Sequence, residues 1–296
     1  MDNLYTFPSM DPQALRDLKK SIDSSFLEFS RSYGEAIEIF FEPLLLTLVW
    51  LEKLLIESPW PITILVLTGL AWITSRSWLA TLFSATAFLI IGYLGMWPDT
   101  MATLAIISVA TLLCIVFGIP VGIWISHSQR AKFVITPILD VMQTIPSFVY
   151  LIPVVMLLGI GKVPGLIAVC IYATPPIIRL TNLGIESVSN DVLEAADAMG
   201  ASRLQKLLDV QLPLALPSIF AGVNQTIMMS LSMVVIASMI GVKGLGLPVL
   251  RAISNQYLAL GLMNGLAIVA LAIIFDRIAQ LYGKRLQSYK ETIENE

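Results

Sequence analysis

One polar stretch between long apolar runs carries residue types suited to docking a soluble partner. It contains Glu194-Ala195-Ala196-Asp197-Ala198-Met199-Gly200, followed after nine residues by Val210-Gln211-Leu212-Pro213. Ser189-Asn190-Asp191 can cap a short helix here, and acidic side chains are favourable near its positive end. Alanine favours the helix, and Gly200 permits a turn or the close approach of another backbone. The stretch therefore predicts a short helix that presents a surface to another protein.

The rest of the chain offers no residue set that predicts catalysis. It has no G-x4-G-K-[ST] phosphate-binding loop, no G-x-S-x-G sequence and no pair of carboxylates within one apolar run. The lone histidine, His127, lies at the end of an apolar run and is interpreted as a solvated loop residue. Cys114 and Cys170 have no CxxC neighbour, which disfavours a disulfide framework or a zinc site. We expect no catalytic residue, metal or cofactor in this chain.

The composition predicts a membrane protein. Hydrophobic residues make up 56% of the chain and charged residues only 13%, against about 25% charged residues in soluble domains. A spanning helix needs about 20 mainly apolar residues. We predict an all-α membrane protein with about seven transmembrane helices, at 59–75, 78–97, 100–126, 134–160, 163–181, 214–241 and 256–281.

Prolines and uncharged polar residues interrupt three of these helices and could line a pathway. Pro146 and Pro153 lie in the fourth, and the fifth should kink or end at Pro175-Pro176. Proline frees backbone carbonyls, which are tolerated inside a membrane only where they face protein or water. The candidate pathway-lining residues are Gln143, Thr144, Pro146, Tyr150, Pro175, Pro176, Asn224, Gln225 and Ser232. For each polar residue, hydrogen bonding between packed helices is the alternative role.

The distribution of basic residues predicts the orientation in the membrane. If the Glu194 loop is cytoplasmic, seven spans place the N-terminus outside and the C-terminus inside. Ten basic residues of the core and C-terminal region then lie in the cytoplasm or at the cytoplasmic edge and three in the outer loops, as basic residues prefer. The ten are Arg76, Arg130, Lys132, Arg179, Arg203, Lys206, Arg277, Lys284, Arg285 and Lys290; the three are Lys162, Lys243 and Arg251.

Residues 1–57 form a separate N-terminal extension. Asp11-Pro12 is typical of a helix start, with Asp11 as the N-cap and Pro12 in the first turn. From residue 35 to residue 57, apolar residues recur near helical spacing but are interrupted by glutamates and a lysine. This pattern favours an amphipathic helix at the membrane surface. A soluble helix packed on its own neighbours is the alternative.

The polar stretch resembles the EAA loop of permease subunits of bacterial ABC importers, whose pattern is E-A-A-x3-G-x9-I-x-L-P. Every position matches except Val210, which stands for isoleucine. In that family the segment is the coupling helix, which lies in a groove of the ATPase subunit. The resemblance implies that Glu194, Ala195, Ala196, Gly200, Val210, Leu212 and Pro213 couple this chain to an ATPase.

A wider resemblance extends over about residues 100–282. Gln143-Thr144-Ile145-Pro146, Pro175-Pro176-Ile177-Ile178-Arg179 and Gly222-Val223-Asn224-Gln225-Thr226 are similar to permeases of glycine betaine/proline betaine importers. This branch implies import of a quaternary-ammonium compatible solute for osmoprotection. It implies a homodimer in the bacterial inner membrane, a separate ATPase that binds ATP-Mg, and an extracytoplasmic substrate-binding protein.

The resemblance also implies a division of the chain. Two accessory transmembrane helices at 58–98 follow the extension at 1–57. A five-helix permease core occupies 99–282, with a coupling helix near 190–206. A cytoplasmic tail occupies 283–296. The alternative function is a stand-alone secondary transporter or channel, which would need ion-coupling groups of its own near the middle of the membrane.

Overall fold

Helices make up the regular structure of the described part of the chain. The computed structural model describes residue 7 and residues 9–294, with side chains described as far as residue 282. The helices are α1 (Pro12–Glu57), α2 (Trp60–Ser75), α3 (Trp78–Tyr93), α4 (Trp97–His127), α5 (Gln129–Thr144), α6 (Leu151–Leu158), α7 (Lys162–Glu186), α8 (Asn190–Ala198), α9 (Arg203–Gln205), α10 (Leu212–Ala237), α11 (Gly246–Asn255) and α12 (Leu258–Glu294). Short 3-10 turns at Ser147–Tyr150 and Ser238–Ile240 and a π-helical turn at Lys206–Gln211 complete the order.

Four stretches of the described residues are long and apolar enough to cross a membrane. They are Trp97–His127, Lys162–Glu186, Arg203–Ile240 and Leu258–Tyr282. The bent pair α5 and α6 gives a fifth crossing if it is counted as one span. α2 and α3 are apolar but have only 16 residues each, which is about 24 Å of helix. The seven expected spans thus divide into a group of five and a shorter hairpin.

The fourth expected span, 134–160, is not one continuous helix. Its two halves, Gln129–Thr144 and Ser147–Leu158, meet at an angle of 109°. Ile145 between them is extended, with φ −64° and ψ 129°. A residue that precedes proline is pushed out of the helical region, and Pro146 follows Ile145. The predicted span is therefore bent, and its two halves together count as one crossing.

The fifth expected span does not end at Pro175-Pro176. α7 runs unbroken from Lys162 to Glu186, with both prolines buried inside it. Thr174 donates to the Cys170 carbonyl at 2.6 Å in the turn before the prolines. α4 and α10 pack along α7 and hold it in helical form. The predicted end at Pro175-Pro176 was wrong because packing against α4 and α10 outweighs the local effect of proline.

Glycines allow α4, α7 and α10 to approach closely. A Cβ atom added at Gly118 would lie 2.4 Å from Ile177 Cγ2 of α7, and one at Gly184 would lie 2.8 Å from Ser218 Cβ of α10. Gly222 of α10 meets Ile177 in the same way at 3.1 Å. Small residues let the backbones of membrane helices come within van der Waals contact, which is where much of their association energy arises. These three helices therefore form the centre of the bundle.

The end of the bundle that carries α8 is held together by side chains. His127 at the end of α4 lies 3.2 Å from Gln211 just before α10, through Nε2 and Oε1. Lys132 near the start of α5 pairs with Glu186 at the end of α7, at 2.7 Å. We call this end of the bundle, where α4 and α7 end and α5 and α10 begin, the α8 end. His127 is exposed, as expected, but it contacts another element rather than solvent alone.

The opposite end is joined by hydrogen bonds that backbone N–H groups donate and by an ion pair between Glu52 of α1 and Lys162 of α7. The Leu245 N–H donates to Thr103 Oγ1 of α4 at 2.9 Å, and the Gly161 N–H donates to the Ile240 carbonyl at 3.0 Å. α5 begins at the α8 end, whereas α6 leads to Gly161 at the opposite end. The bent pair therefore crosses the bundle from one end to the other and does not return to the side on which it began.

The N-terminal extension forms one long helix, α1, which begins where the sequence predicts. The Asp11 carboxylate caps it by accepting from the backbone N–H groups of residues 13 and 14. Ser30 donates to the Met156 carbonyl at 2.9 Å, and Glu52 pairs with Lys162. Leu48 of α1 is buried in the core. α1 therefore packs beside the α6–α7 connection, and its place at the membrane surface stays a prediction.

We expect Gly122→Ala to destabilise the protein. The new Cβ would lie 2.6 Å from Thr181 Cβ and 2.8 Å from the Ile178 carbonyl oxygen, so α4 and α7 would have to separate. Overpacking of this kind costs about 1–3 kcal/mol. The measurement is the thermal unfolding midpoint of the purified protein in detergent.

The matched control is Gly69→Ala in α2, where an added Cβ meets no atom within 4 Å. This change should be neutral or raise the midpoint, because alanine favours the helix by about 0.8–1.0 kcal/mol over glycine. Equal midpoints for the two variants would contradict the close contact of α4 with α7.

Candidate functional site

The expected docking helix is present as α8 and is capped at both ends. Ser189 Oγ accepts from the Val192 N–H at 3.4 Å, and Asp191 lies in the first turn. At the other end the Ala201 N–H donates to the Ala196 carbonyl at 3.0 Å and the Gly200 N–H donates to the Asp197 carbonyl at 2.9 Å. This is a Schellman motif, which requires a left-handed residue, and Gly200 has φ +79°.

We call residues 189–213, which contain the predicted coupling residues, the coupling segment. It has two helices in the range near 190–206, where the sequence predicts a coupling helix. α8 ends at Ala198, and α9 begins at Arg203 under a capping box in which Ser202 and Gln205 bond each other's backbone N–H groups. Lys206 then pairs with Asp197 across the turn, at 2.6 Å. Gly200 and the capping box thus end one helix and start another within the range predicted to hold the coupling helix.

The outer face of α8 is exposed to solvent. The capping hydrogen bonds and the Lys206–Asp197 pair fix the helix and the turns beside it. Glu194 and Ala195 are exposed, whereas Ala196 is buried against the rest of the segment. Four large apolar side chains of the segment are also exposed, with Met199 the most open at 89%. They are Val192, Met199, Leu204 and Leu208. A mixed apolar and acidic surface of this kind is suited to a protein partner.

The second half of the expected coupling motif lies beside α8. Val210 is in the π-helical turn, and Leu212 and Pro213 begin α10. The turn contacts both α8 and α10. A displacement of α8 would therefore be transmitted to the first residues of α10 through this turn. The structure thus brings all seven predicted coupling positions into one segment at one end of the bundle.

The predicted pathway residues divide into an exposed and a buried group. Gln143, Thr144 and Pro146 are exposed around the bend between α5 and α6, and Gln225 and Ser232 are exposed on one face of α10. Phe148, just after the bend, is 57% exposed. The 3-10 turn at the bend packs against α7 and α10. The five exposed residues therefore lie at the bend between α5 and α6 and on one face of α10, and the turn at the bend brings these two regions into contact.

The buried group supports the bend and the helix contacts. Tyr150 is buried, and its hydroxyl donates to the Met142 carbonyl across the bend. Pro175 and Pro176 are buried within α7. Asn224 is half-buried and donates to Asp276 of α12 at 2.8 Å. In this single chain Tyr150, Pro175 and Pro176 are buried among packed helices, and the half-buried Asn224 links α10 to α12.

Charged residues within the apolar helices were not among the predicted site residues. Asp140 of α5 pairs with Arg179 of α7, and Asp276 of α12 accepts from Asn224 and Gln280. The sequence does contain a signal for them, because an ionisable residue inside a membrane segment is costly and usually functional. Among the described residues, no three His, Cys, Asp or Glu side chains are grouped to hold a metal ion.

Apolar helices that cross from end to end, a bent span and a helical segment presented at one end together define a membrane permease. The family model described as "Binding-protein-dependent transport system inner membrane component" matches residues 114–288, more than half of the chain. The chain belongs to this family. The matched region includes α5–α11, the seven predicted coupling residues and all nine predicted pathway residues.

Two relatives illustrate the similarity. The glycine betaine/proline betaine transport system permease protein ProW of Escherichia coli (strain K12) is 52% identical over 239 residues, covering 80% of this chain and 67% of that protein. The glycine betaine/carnitine transport permease protein GbuB of Listeria monocytogenes is 45% identical over 232 residues, covering 78% of this chain and 82% of that protein. The chain thus spans about two thirds of the length of the first relative.

A solved structure shows the same fold. The MetNI methionine ABC transporter, in inward-facing conformations, matches 62% of this chain and 93% of the compared chain. The TM-score is 0.57 at 20% sequence identity. Most of this chain therefore shares the fold of a chain of an ABC importer.

We expect Gly200→Val to disrupt the end of α8. A β-branched residue is strained at φ +79°, so the Schellman hydrogen bonds should break. In this variant, hydrogen exchange at the backbone amides of positions 200 and 201 should be about tenfold or more faster than in the wild type. Gly200→Asn is the control, because asparagine tolerates the left-handed region. Equal exchange in the two variants would contradict this account of the turn.

Proposed function

We propose that this chain is the permease subunit of an ATP-driven importer of glycine betaine, proline betaine or a related quaternary-ammonium solute. The observation that carries the proposal is the similarity of most of the chain to permeases named for such solutes, at 52% and 45% identity. The exposed coupling segment supports the same reading, because a permease needs a surface on which an ATPase can act.

The proposed assembly has two copies of this chain, two ATPase subunits and one extracytoplasmic substrate-binding protein. ATP-Mg binds in the ATPase subunits, which fits the absence of a phosphate-binding loop from this sequence. The exposed face of α10 with Gln225 and Ser232 supports the homodimer, since a second copy would cover it and enclose a pathway between the two. The Glu194 segment would meet the ATPase.

Transport in this proposal is a shift between two states of the assembly. ATP favours the state in which the two ATPase subunits close, and it can shift the equilibrium only by binding one state more tightly. α8 would move with the ATPase, and the π-helical turn at Lys206–Gln211 would pass this movement to α10. The cavity would then open to the outside and accept solute from the binding protein.

In the proposed orientation the α8 end is cytoplasmic and the opposite end faces outward. The N-terminus is then outside and the C-terminus inside. Of the basic residues that support this orientation, Arg130, Lys132 and Lys206 lie at the α8 end, whereas Lys162 lies at the opposite end near the start of α7. Lys284, Arg285 and Lys290 lie beyond the described side chains.

The proposed function predicts uptake that depends on ATP. Vesicles that contain this chain with its ATPase and binding protein should accumulate radiolabelled glycine betaine only when ATP is supplied on the α8 side. Gly200→Val should lower both uptake and solute-stimulated ATP hydrolysis, and Gly200→Asn should retain most of each. Uptake driven by an ion gradient without ATP would instead support a secondary transporter.

Cysteine labelling tests the orientation. In a background in which Cys114 and Cys170 are replaced by alanine, Ser24→Cys should react with an impermeant thiol reagent from outside. Lys290→Cys should react only after the membrane is opened, because the C-terminus is proposed to be inside. Labelling of both positions from the same side would show an even number of crossings and overturn this orientation.

A further inference from the structure

The ion pair between Asp140 and Arg179 lies where a charged solute could meet it. α7 places Arg179 about 10 Å of helix before Glu186, so the pair is set back from the α8 end and within an apolar span. The Asp140 side chain is 57% exposed and the Arg179 side chain 37% exposed. A charge pair within a span is costly, and such pairs in transporters commonly mark the path of a substrate.

The pair also adjoins the discontinuity between α5 and α6. Asp140 is one turn before the end of α5 at Thr144, and the exposed Gln143 and Thr144 follow it. Transporters commonly bind substrates at broken helices, where the helix ends carry partial charges. The C-terminal end of α5 is negative and favours a cation. The aromatic ring of Phe148, 57% exposed, follows directly after the bend.

Both members of the pair retain hydrogen-bonding capacity. The contact joins Arg179 Nη2 to Asp140 Oδ1, which leaves Oδ2 without a described bond to Arg179. Arg179 Nε is buried and has no hydrogen-bond partner within the described part of the chain. A guanidinium has five N–H donors and suits a carboxylate, so Arg179 can hold Asp140 and still offer donors to a second carboxylate.

We propose that Asp140 and Arg179 form a solute-binding site for a zwitterion that carries a quaternary ammonium and a carboxylate. The inference rests on the proposed function and adds the residues that meet the solute within the membrane. The solute carboxylate binds the guanidinium of Arg179. The quaternary ammonium, which has no hydrogen to donate, lies against the Asp140 carboxylate, the negative end of α5 and the face of Phe148.

A second ion pair provides a matched control for a purely structural role. Lys132 and Glu186 join the same two helices, α5 and α7, and their side chains are similarly exposed at 39% and 32%. If Asp140 and Arg179 only hold α5 against α7, then neutralising either pair should have a similar effect. If Asp140 and Arg179 bind solute, neutralising this pair should impair transport far more than neutralising Lys132 or Glu186.

The first experiment measures glycine betaine uptake in vesicles that contain the complete importer. Asp140→Asn keeps an oxygen that can accept from Arg179 but loses the charge, and we expect uptake to fall about tenfold or more. Glu186→Gln should stay within about twofold of the wild type. Unfolding midpoints in detergent establish that the compared complexes are equally folded. Equal uptake by the two variants would overturn the proposal.

The second experiment detects binding without transport. Thr144→Cys, in the background without Cys114 and Cys170, provides a thiol beside the proposed site. Glycine betaine and choline should both slow its labelling, because both carry a quaternary ammonium. Arg179→Gln should weaken protection by glycine betaine about tenfold and leave protection by choline unchanged, since choline has no carboxylate. Equal loss for the two solutes, or no protection by either, would overturn the assignment.

The uptake measurements distinguish a failure of this inference from a failure of the proposed function. If wild-type vesicles accumulate no glycine betaine with ATP, the proposed function fails. If they accumulate it while Asp140→Asn behaves as Glu186→Gln does, only the zwitterion site fails and the pair is a structural link between α5 and α7.

Discussion

Close contact among α4, α7 and α10 is the constraint on which the rest of the structure depends. Lipid is as apolar as the side chains themselves, so association relies on dense packing and on satisfied backbone groups rather than on water exclusion. The glycines at 118, 122, 184 and 222 supply that density. They hold α7 in one continuous helix through its two prolines, and they leave α5 and α6 at the side of the centre, where a bend can be accommodated.

The sequence predicts the class of the protein and the coupling segment more closely than the course of individual helices. Composition and apolar runs establish a helical membrane protein, and the Glu194 spacing locates α8 because capping and glycine chemistry act within a few residues. Proline is less informative. Pro146 breaks a span and Pro175-Pro176 does not, although each has the same local effect. The difference lies in tertiary packing, which one sequence does not reveal.

The same limit applies to the pathway residues. Residue type identifies polar and proline positions within apolar helices, but it does not say which of them face outward. Gln143, Thr144, Gln225 and Ser232 are exposed, whereas Tyr150 and Pro175 are buried. Asp140 and Arg179 are 39 positions apart in the sequence, and only the bundle brings them together. A pairing of this kind depends on how α5 lies against α7.

The two ends of the bundle differ in how their helices are joined, and this difference sets where it can bend. At the opposite end, main-chain atoms of the α10–α11 connection are bonded to the Thr103 hydroxyl of α4 and to the backbone of the α6–α7 turn. At the α8 end, flexible side chains such as Lys132 and Gln211 make the links and can follow a moving helix. This arrangement favours a hinge at the opposite end, with the helix ends beside α8 freer to move. A force applied through α8 would then act on α10 far from this hinge, so the displacement would be largest beside α8 and would decrease toward the opposite end.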